Sequence, residues 1–470
     1  VNPNVGSVFT MPSNLLSEAE AMTLRNDLHF KSRGGEKYGF GGSQFVELFQ
    51  EDPDSGLVSI PRMYAYERLP SRLLKKVEDS MSDGTSVIFE FNEKRQSSRP
   101  DLKKRQDDLI EEFLGELNAL QTPFKGGILS ASCGLGKTVC ATKLMSVFNT
   151  TTLVLVHKEF LMNQWKDRIL EFLDVSEDEI GFVKQKKCQF EGKKIVIAMI
   201  QSLLEPDKYP KEFFSWAGLL LSDEVHRMSA PCFQSVVPLF PARIRIGLSA
   251  TPRRADGLQA VFEWHIGRVL AKIQGAEMTP KIYQIPFDVW FPEDLYMWRD
   301  KRTGDVKKMF LAKLTNLLVD VPNRNIWFIK EMVRAVKSGR KVMLLSDRRE
   351  HLGVLKAALA AKEPTITVGF YVGGMKKKEL EQSVTCDILL GTFQMCREGL
   401  DIPEIDTLYL SSPKSDVEQI VGRALRFHKD KKEPVIVDLV DSLPICLDFA
   451  HKRLRQYRKL GYTVVKSVDS

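Results

Sequence analysis

A chain of 470 residues, 43% hydrophobic and 27% charged, has the make-up of an ordinary globular protein and, at about 150 residues per domain, is expected to hold roughly three domains. Its formal net charge of +7, from 68 Lys and Arg against 61 Asp and Glu, allows a polyanionic partner without requiring one. No apolar run is long enough to span a bilayer and no charged-then-apolar leader is read, so a cytosolic protein is expected; seven scattered cysteines without a C-x-x-C pair argue against a zinc site, an iron–sulfur cluster or a disulfide framework.

In chain order, the stretch before Met11, which opens at Val1, is left out of the functional reading. Residues 1–95 read as a small α+β accessory domain, with a helix over Leu15–Leu28 and strands over Leu57–Tyr66 and Thr85–Phe91 between turn-rich segments. Basic and aromatic residues interleave in it (Phe30, Lys31, Arg33, Tyr38, Phe40, then Arg62, Tyr64, Arg68). That pattern suits a nucleic-acid surface and equally describes a small core with solvated lysines, and both readings stand.

From Arg99-Pro100 a helix is expected over Asp101–Leu117, with Gln106 near its start. Strands at Gly127–Ser130, Thr152–His157, Lys194–Ile200 and Gly218–Leu221 then alternate with helices, and nearly all-apolar strands in alternation imply a parallel sheet covered on both faces. This block is placed at 96–275. Residues 276–322 read as a linker or insertion with a hairpin around Lys301–Asp305 and an amphipathic helix. A second alternating block, 323–450, carries strands at Lys341–Ser346, Thr365–Tyr371, Cys386–Gly391, Thr407–Ser411 and Pro434–Leu439, and 451–470 is a basic helix and tail. The fold class is therefore α/β, two parallel-sheet lobes after a small α+β domain.

Gly127–Thr138, reading G-I-L-S-A-S-C-G-L-G-K-T, is where the chemistry concentrates. A buried strand ends in small residues that let backbone N–H groups converge on a triphosphate, so Ala131, Ser132, Cys133, Gly134, Leu135 and Gly136 are expected to cradle phosphates. Lys137 then brings a charge to the β and γ phosphates and the Thr138 hydroxyl is placed for Mg²⁺, with the following helix aiming its positive end at the same anion. Ala131 occupies the first position of the G-x-x-x-x-G-K-[ST] pattern, where the next smallest residue also permits close approach. Further on, the apolar run Leu219–Ser222 delivers Asp223 and Glu224 to a strand end, where Asp223 can hold the Mg²⁺ and Glu224 can orient and deprotonate the attacking water.

With these residues the sequence resembles the superfamily 2 helicases from Arg99 to His428. Asp223-Glu224-Val225-His226 matches the DExH box, Ser249-Ala250-Thr251 the S-A-T motif, and Gly391–Asp401 (G-T-F-Q-M-C-R-E-G-L-D) and Gln419–Arg426 (Q-I-V-G-R-A-L-R) the two motifs of the second lobe. Within the superfamily, Gly247–Gly257, Asn323-Arg324-Asn325 and Tyr371–Met375 resemble the compact phage helicases of the UvsW type and of phage T5, and the poxvirus transcript-release helicase.

The resemblance implies two RecA-like lobes that use ATP and Mg²⁺, with Gln106 near the adenine and Gly399 and Asp401 on the nucleotide side. It makes Gln419 part of the catalytic motif and Arg423 and Arg426 arginine fingers, a task that suits cations three apart on one helical face. His226, Ser249 and Thr251 would couple ATP state to grip. For the track it points to His157, Lys158, Gln201 and Ser202 in the first lobe and Arg348 and Thr392 in the second, mostly through backbone phosphates; Trp165 is read as helix core. The implied protein is an ATP-dependent DNA helicase that remodels branched DNA by fork regression or branch migration, active as a monomer, in the host cytoplasm for a viral protein. A duplex translocase that displaces RNA or protein is the alternative.

Overall fold

The computed structural model describes residues 2–31, 45–97, 99–132, 135–228, 230–250, 258–273, 278–299, 306–399, 402–415, 417, 420–422 and 431–466. The chain divides into two compact units, Val1–Ile273 and Gln274–Ser470.

The first unit opens with a five-stranded sheet of β1 (Asn4–Val5), β2 (Phe9–Pro12), β3 (Gln50–Asp52), β4 (Leu57–Ile60) and β5 (Glu78–Asp79), in the order β3-β4-β2-β1-β5. Its helix α1 (Glu18–Asp27) starts in a capping box, the Ser17 N–H donating to Glu20 at 2.9 Å and the Glu20 N–H to the Ser17 hydroxyl at 3.3 Å. The strand expected over Leu57–Tyr66 stops at Ile60, because Pro61 cannot donate to a ladder and its fixed φ leads instead into α2 (Arg62–Arg68). Thr85–Phe91, expected as a strand, makes only single bridges, Ser86 with Thr150 and Phe91 with Leu173.

Burial separates the two readings of the basic and aromatic residues for part of the pattern. Arg62 and Tyr64 are 1% and 2% exposed. The Arg62 guanidinium donates to Ala242 O at 2.8 Å and to Gly6 O and Arg243 O at 3.3 Å, over the Phe124 ring, while Tyr64 meets Trp264 edge-on at 5.0 Å. These residues fasten the small sheet to the larger one and are not a surface; Arg33, Tyr38 and Phe40 lie outside the described residues.

The larger sheet of this unit contains β6 (Lys125–Ala131), β7 (Thr152–Val156), β8 (Ile180–Lys184), β9 (Lys187–Cys188), β10 (Ile195–Met199), β11 (Leu219–Ser222), β12 (Ile244–Ser249) and β13 (Val269–Ile273), ordered β9-β8-β10-β7-β11-β12-β6-β13. Every neighbouring pair is parallel except β8 with β9. Helices α3 (Pro100–Ala119), α4 (Lys137–Phe148) and α5 (Glu159–Phe172) bury Phe113, Leu144 and Ile169 in one apolar cluster with β6, β7 and β11. Parallel pairing puts the C-terminal ends of β6, β7, β10, β11 and β12 on one edge.

The second unit has a wholly parallel seven-stranded sheet. Its strands are β14 (Lys281–Phe287), β17 (Val342–Ser346), β18 (Val368–Tyr371), β19 (Ile388–Thr392), β20 (Thr407–Leu410), β21 (Val435–Asp441) and β22 (Thr463–Lys466), in the order β18-β19-β17-β20-β21-β14-β22. Lys281–Phe287, expected in a linker, is thus a strand of this sheet, paired on both sides. The expected hairpin is present as β15 (Met297–Arg299) against β16 (Val306–Met309), with its tip outside the described residues, followed by α6 (Leu311–Val319) and α7 (Pro322–Lys337). The basic C-terminal helix is longer than expected and belongs to the unit: α10 (Pro444–Lys459) buries Arg453, which takes Asp438 at 2.7 and 2.9 Å. Helices α8 (Arg349–Lys362) and α9 (Phe393–Gly399) also pack against this sheet.

Candidate functional site

One backbone choice stands out where the loop after β6 enters α4. Gly136 has φ +81°, the left-handed region that favours glycine, and a Cβ there would stand 2.3 Å from Gln106 Nε2. Gln106, 3% exposed on α3, donates that Nε2 to Leu135 O at 3.1 Å. Expected near an adenine, its amide therefore grips the loop backbone. Ala131 is fully buried at the end of β6, and Thr138 sits half-buried in the first turn of α4. Lys137 Nζ lies 3.4 Å from both Ala131 O and Glu224 Oε1. Cys133 and Gly134 lie outside the described residues.

Asp223 and Glu224 follow β11 at the same sheet edge. The Asp223 N–H donates to Leu155 O at 3.0 Å, and its Oδ2 accepts from the Trp165 indole N–H at 2.8 Å. Burial, then the neighbouring Glu224 charge, push the Asp223 carboxyl up to about 6, against the pull of Trp165 and Lys137. Glu224 adopts φ +49°, a left-handed conformation that costs a non-glycine residue about 1–2 kcal/mol and that clusters at functional sites. His226 Nδ1 is 3.0 Å from Ser249 Oγ, at the end of β12, and 3.4 Å from Glu224 Oε2; Thr251 lies outside the described residues.

The residues expected along a track fall at the same kind of edge. In the first unit His157 and Lys158 bridge β7 and α5, Gln201 Nε2 donates to His157 O at 2.9 Å, and the Ser202 hydroxyl accepts the Gln185 N–H at 3.0 Å. In the second unit Thr392 ends β19 and its hydroxyl accepts the Met395 N–H at 3.4 Å, while Gly399 closes α9. The Arg348 guanidinium donates to Ala312 O at 2.9 Å and to Asn316 Oδ1, both on α6. Asp401, Gln419, Arg423 and Arg426 lie outside the described residues.

Two features escaped the sequence reading. Trp165 is core, 2% exposed, and also touches Asp223. In the second unit Asn325, His351 and Ser346 form a buried relay, His351 Nε2 at 2.9 Å from Asn325 Oδ1 and Nδ1 at 2.9 Å from Ser346 Oγ. No local pattern marks either, since Trp165 meets Asp223 and His351 meets Asn325 only through the fold.

The geometry combines a phosphate-type loop, a lysine beside a glutamate and a buried aspartate on one parallel-sheet edge, which is what nucleotide hydrolysis requires. The Asp223 carboxylate and the Thr138 hydroxyl are hard oxygen donors, a set that fits an ion completed by water and phosphate oxygens; among the described residues no group of three or more His, Cys, Asp or Glu could hold a metal.

Comparisons with known proteins agree. The family described as type III restriction enzyme, res subunit, matches residues 99–254, and the helicase conserved C-terminal domain matches 324–428. A protein of Acanthamoeba polyphaga mimivirus named as an ATP-dependent RNA helicase is 28% identical over 386 residues, 82% of this chain and 71% of its own. A protein of Escherichia phage T5 named as a helicase is 24% identical over 396 residues, 82% of each. Among solved structures, a fragment of a type I restriction enzyme HsdR subunit from Vibrio vulnificus shares the fold with TM-score 0.52 at 18% identity, over 77% of this chain and 68% of that one. Two domain families in the order in which the motifs stand, with viral and phage relatives along most of the chain, make it a superfamily 2 helicase with RecA-like lobes, an ATP-using enzyme that resembles the helicases of viruses and phage.

Proposed function

We propose that this helicase acts on DNA and remodels branched structures, by fork regression or branch migration, with Mg²⁺ as its cofactor. The observation that carries the catalytic part is the convergence of Lys137, Asp223 and Glu224 on one sheet edge, Lys137 Nζ 3.4 Å from Glu224 Oε1 and Asp223 Oδ2 fixed by Trp165 at 2.8 Å. In this reading Lys137 and the Gly136 loop bind the terminal phosphates, and Glu224 orients and deprotonates water. Asp223 and the Thr138 hydroxyl would hold Mg²⁺, which when bound neutralises phosphate charge. Arg423 and Arg426 supply transition-state cations, and Gln419 belongs to the same motif. His226, through Ser249, links the nucleotide site to the residues proposed for the track in the first unit, His157, Lys158, Gln201 and Ser202; Arg348 and Thr392 are those proposed in the second.

Support for the branched substrate comes from the small sheet at the start of the chain. Arg62 and Arg245 are 1% and 0% exposed, and Arg245 donates to Ser7 O at 2.7 Å, so the small sheet is fastened to the ATP-binding sheet and would move with it against a second DNA arm. The name of the mimivirus relative favours a second reading, RNA as substrate. Steady-state ATP hydrolysis with no nucleic acid, single-stranded DNA, duplex DNA, a fork, a four-way junction and duplex RNA, run beside strand-displacement assays, separates them. Strongest stimulation with strand movement on forks or junctions is expected. Preference for RNA replaces the substrate, and stimulation by plain duplex without strand separation makes the enzyme a translocase.

A further inference from the structure

We propose that Trp165 is a positioning residue for Asp223, and that through it the metal-side carboxylate answers to the helix that begins at the track. The inference rests on the reading of Asp223 as a metal-binding carboxylate.

Trp165 shares an apolar cluster with Val156, Met162 and Ile169, to which a phenylalanine would still contribute a ring while leaving a cavity where the larger indole stood. What a phenylalanine lacks is the indole N–H, and a buried indole N–H needs an acceptor. Here the acceptor is Asp223 Oδ2 at 2.8 Å, within the range of charge-assisted bonds. A carboxylate with one oxygen held cannot swing about its Cβ–Cγ bond. Its backbone is pinned as well, by the Asp223 N–H on Leu155 O at 3.0 Å. Leu155 belongs to β7 and Trp165 to α5, so both anchors of Asp223 sit on the single strand-turn-helix that carries His157 and Lys158 at its bend. A displacement of that bend by a bound phosphate backbone therefore reaches Asp223 through two hydrogen bonds, independently of the His226–Ser249 contact.

The test measures affinity of the full chain for a fluorescent ATP analogue, in excess Mg²⁺ and in EDTA, with and without single-stranded DNA. Trp165→Phe is expected to lose about 10- to 100-fold of the Mg²⁺-dependent gain, the usual effect of removing a partner that orients a metal ligand, with affinity in EDTA unchanged. In an Asp223→Asn background the same substitution should add nothing, and single-stranded DNA should alter the Mg²⁺-dependent gain in the wild type only. A wild-type gain in Trp165→Phe overturns the proposal, as does an equal loss in EDTA or an undiminished loss on top of Asp223→Asn. Absence of any Mg²⁺-dependent gain in the wild type overturns the Asp223 reading and this one with it. A measurement that needs no variant is the ¹⁵N-indole spectrum of the wild type: one of its six tryptophan N–H signals should shift when Mg²⁺ is added to nucleotide-bound protein, and six unmoved signals count against the contact.

Discussion

Lys137 Nζ stands 3.4 Å from Glu224 Oε1, each side chain largely withdrawn from water, at 11% and 17% exposure. Lys137 opens α4 after β6 and Glu224 follows β11, so the cation proposed for the phosphates and the base proposed for water are held in one electrostatic unit.

Lys137→Ala is therefore expected to lower ATP hydrolysis by about 100-fold or more, the scale of losing one preorganised charge-stabilising donor, while nucleic-acid binding without nucleotide is retained. Coupled-assay turnover and fluorescence anisotropy measure the two. Wild-type turnover in the variant would remove the phosphate role of this loop.

Gly136→Ala tests the loop by its backbone. The added Cβ meets Gln106 Nε2 at 2.3 Å and also holds φ +81° at a cost of about 1 kcal/mol. Nucleotide affinity should fall, and Gln106→Ala in the same chain should restore part of it by removing the clash and leaving the strain. Equal affinities for single and double variants would mean that the Gln106 contact has no part in shaping the loop.

What could be read from the sequence was whatever is local. The loop through Lys137, the pair at Asp223 and the alternation of apolar strands each leave a contiguous pattern, and the strand cores at Thr152, Ile195 and Leu219 lie where periodicity placed them. What could not be read depends on partners far along the chain. Arg62 looked like half of a basic surface until its carbonyl partners, as distant as Arg243, were brought to it, and Lys281–Phe287 looked like linker because its ladder partner is Val435–Asp441. The hydrogen bonds of Arg348 to Ala312 O and Asn316 Oδ1 were no more legible, since their acceptors lie on another helix.

In the second unit Arg324 and Asp441 form a two-point ion pair, Nε to Oδ1 at 2.8 Å and Nη2 to Oδ2 at 3.0 Å, with side chains 1% and 3% exposed. Removing one partner leaves an uncompensated buried charge. Arg324→Met should thus cost about 3–5 kcal/mol in urea denaturation, whereas Arg324→Met with Asp441→Leu should recover much of the loss. A double variant no more stable than the single one would show that the arginine acts through its bond to Ser411 O, at 2.6 Å, and not through the pair.

His351 gives a pH dependence with a definite sign. Burial, then the charge of Arg324, lower its pKa from 6.5 to about 3. The Asn325 amide donates Nδ2 to Val319 O at 2.8 Å, which turns Oδ1 toward the ring, so Nε2 carries the proton and Nδ1 accepts from the Ser346 hydroxyl. The folded ring stays neutral down to about pH 3, while in the unfolded chain it takes up a proton below about pH 6.5. Stability is therefore full above that higher value and is lost as pH falls between the two, with a slope of up to about 1.4 kcal/mol per pH unit from this group. His351→Gln removes the titration, so the difference between wild type and variant should shrink as pH is lowered from 7 toward about 5. The comparison belongs on the urea transition that the substitution shifts, because a chain of two units need not unfold in one step. Parallel pH profiles for the two proteins would place the proton on the folded ring and break the relay drawn from Asn325 to Ser346.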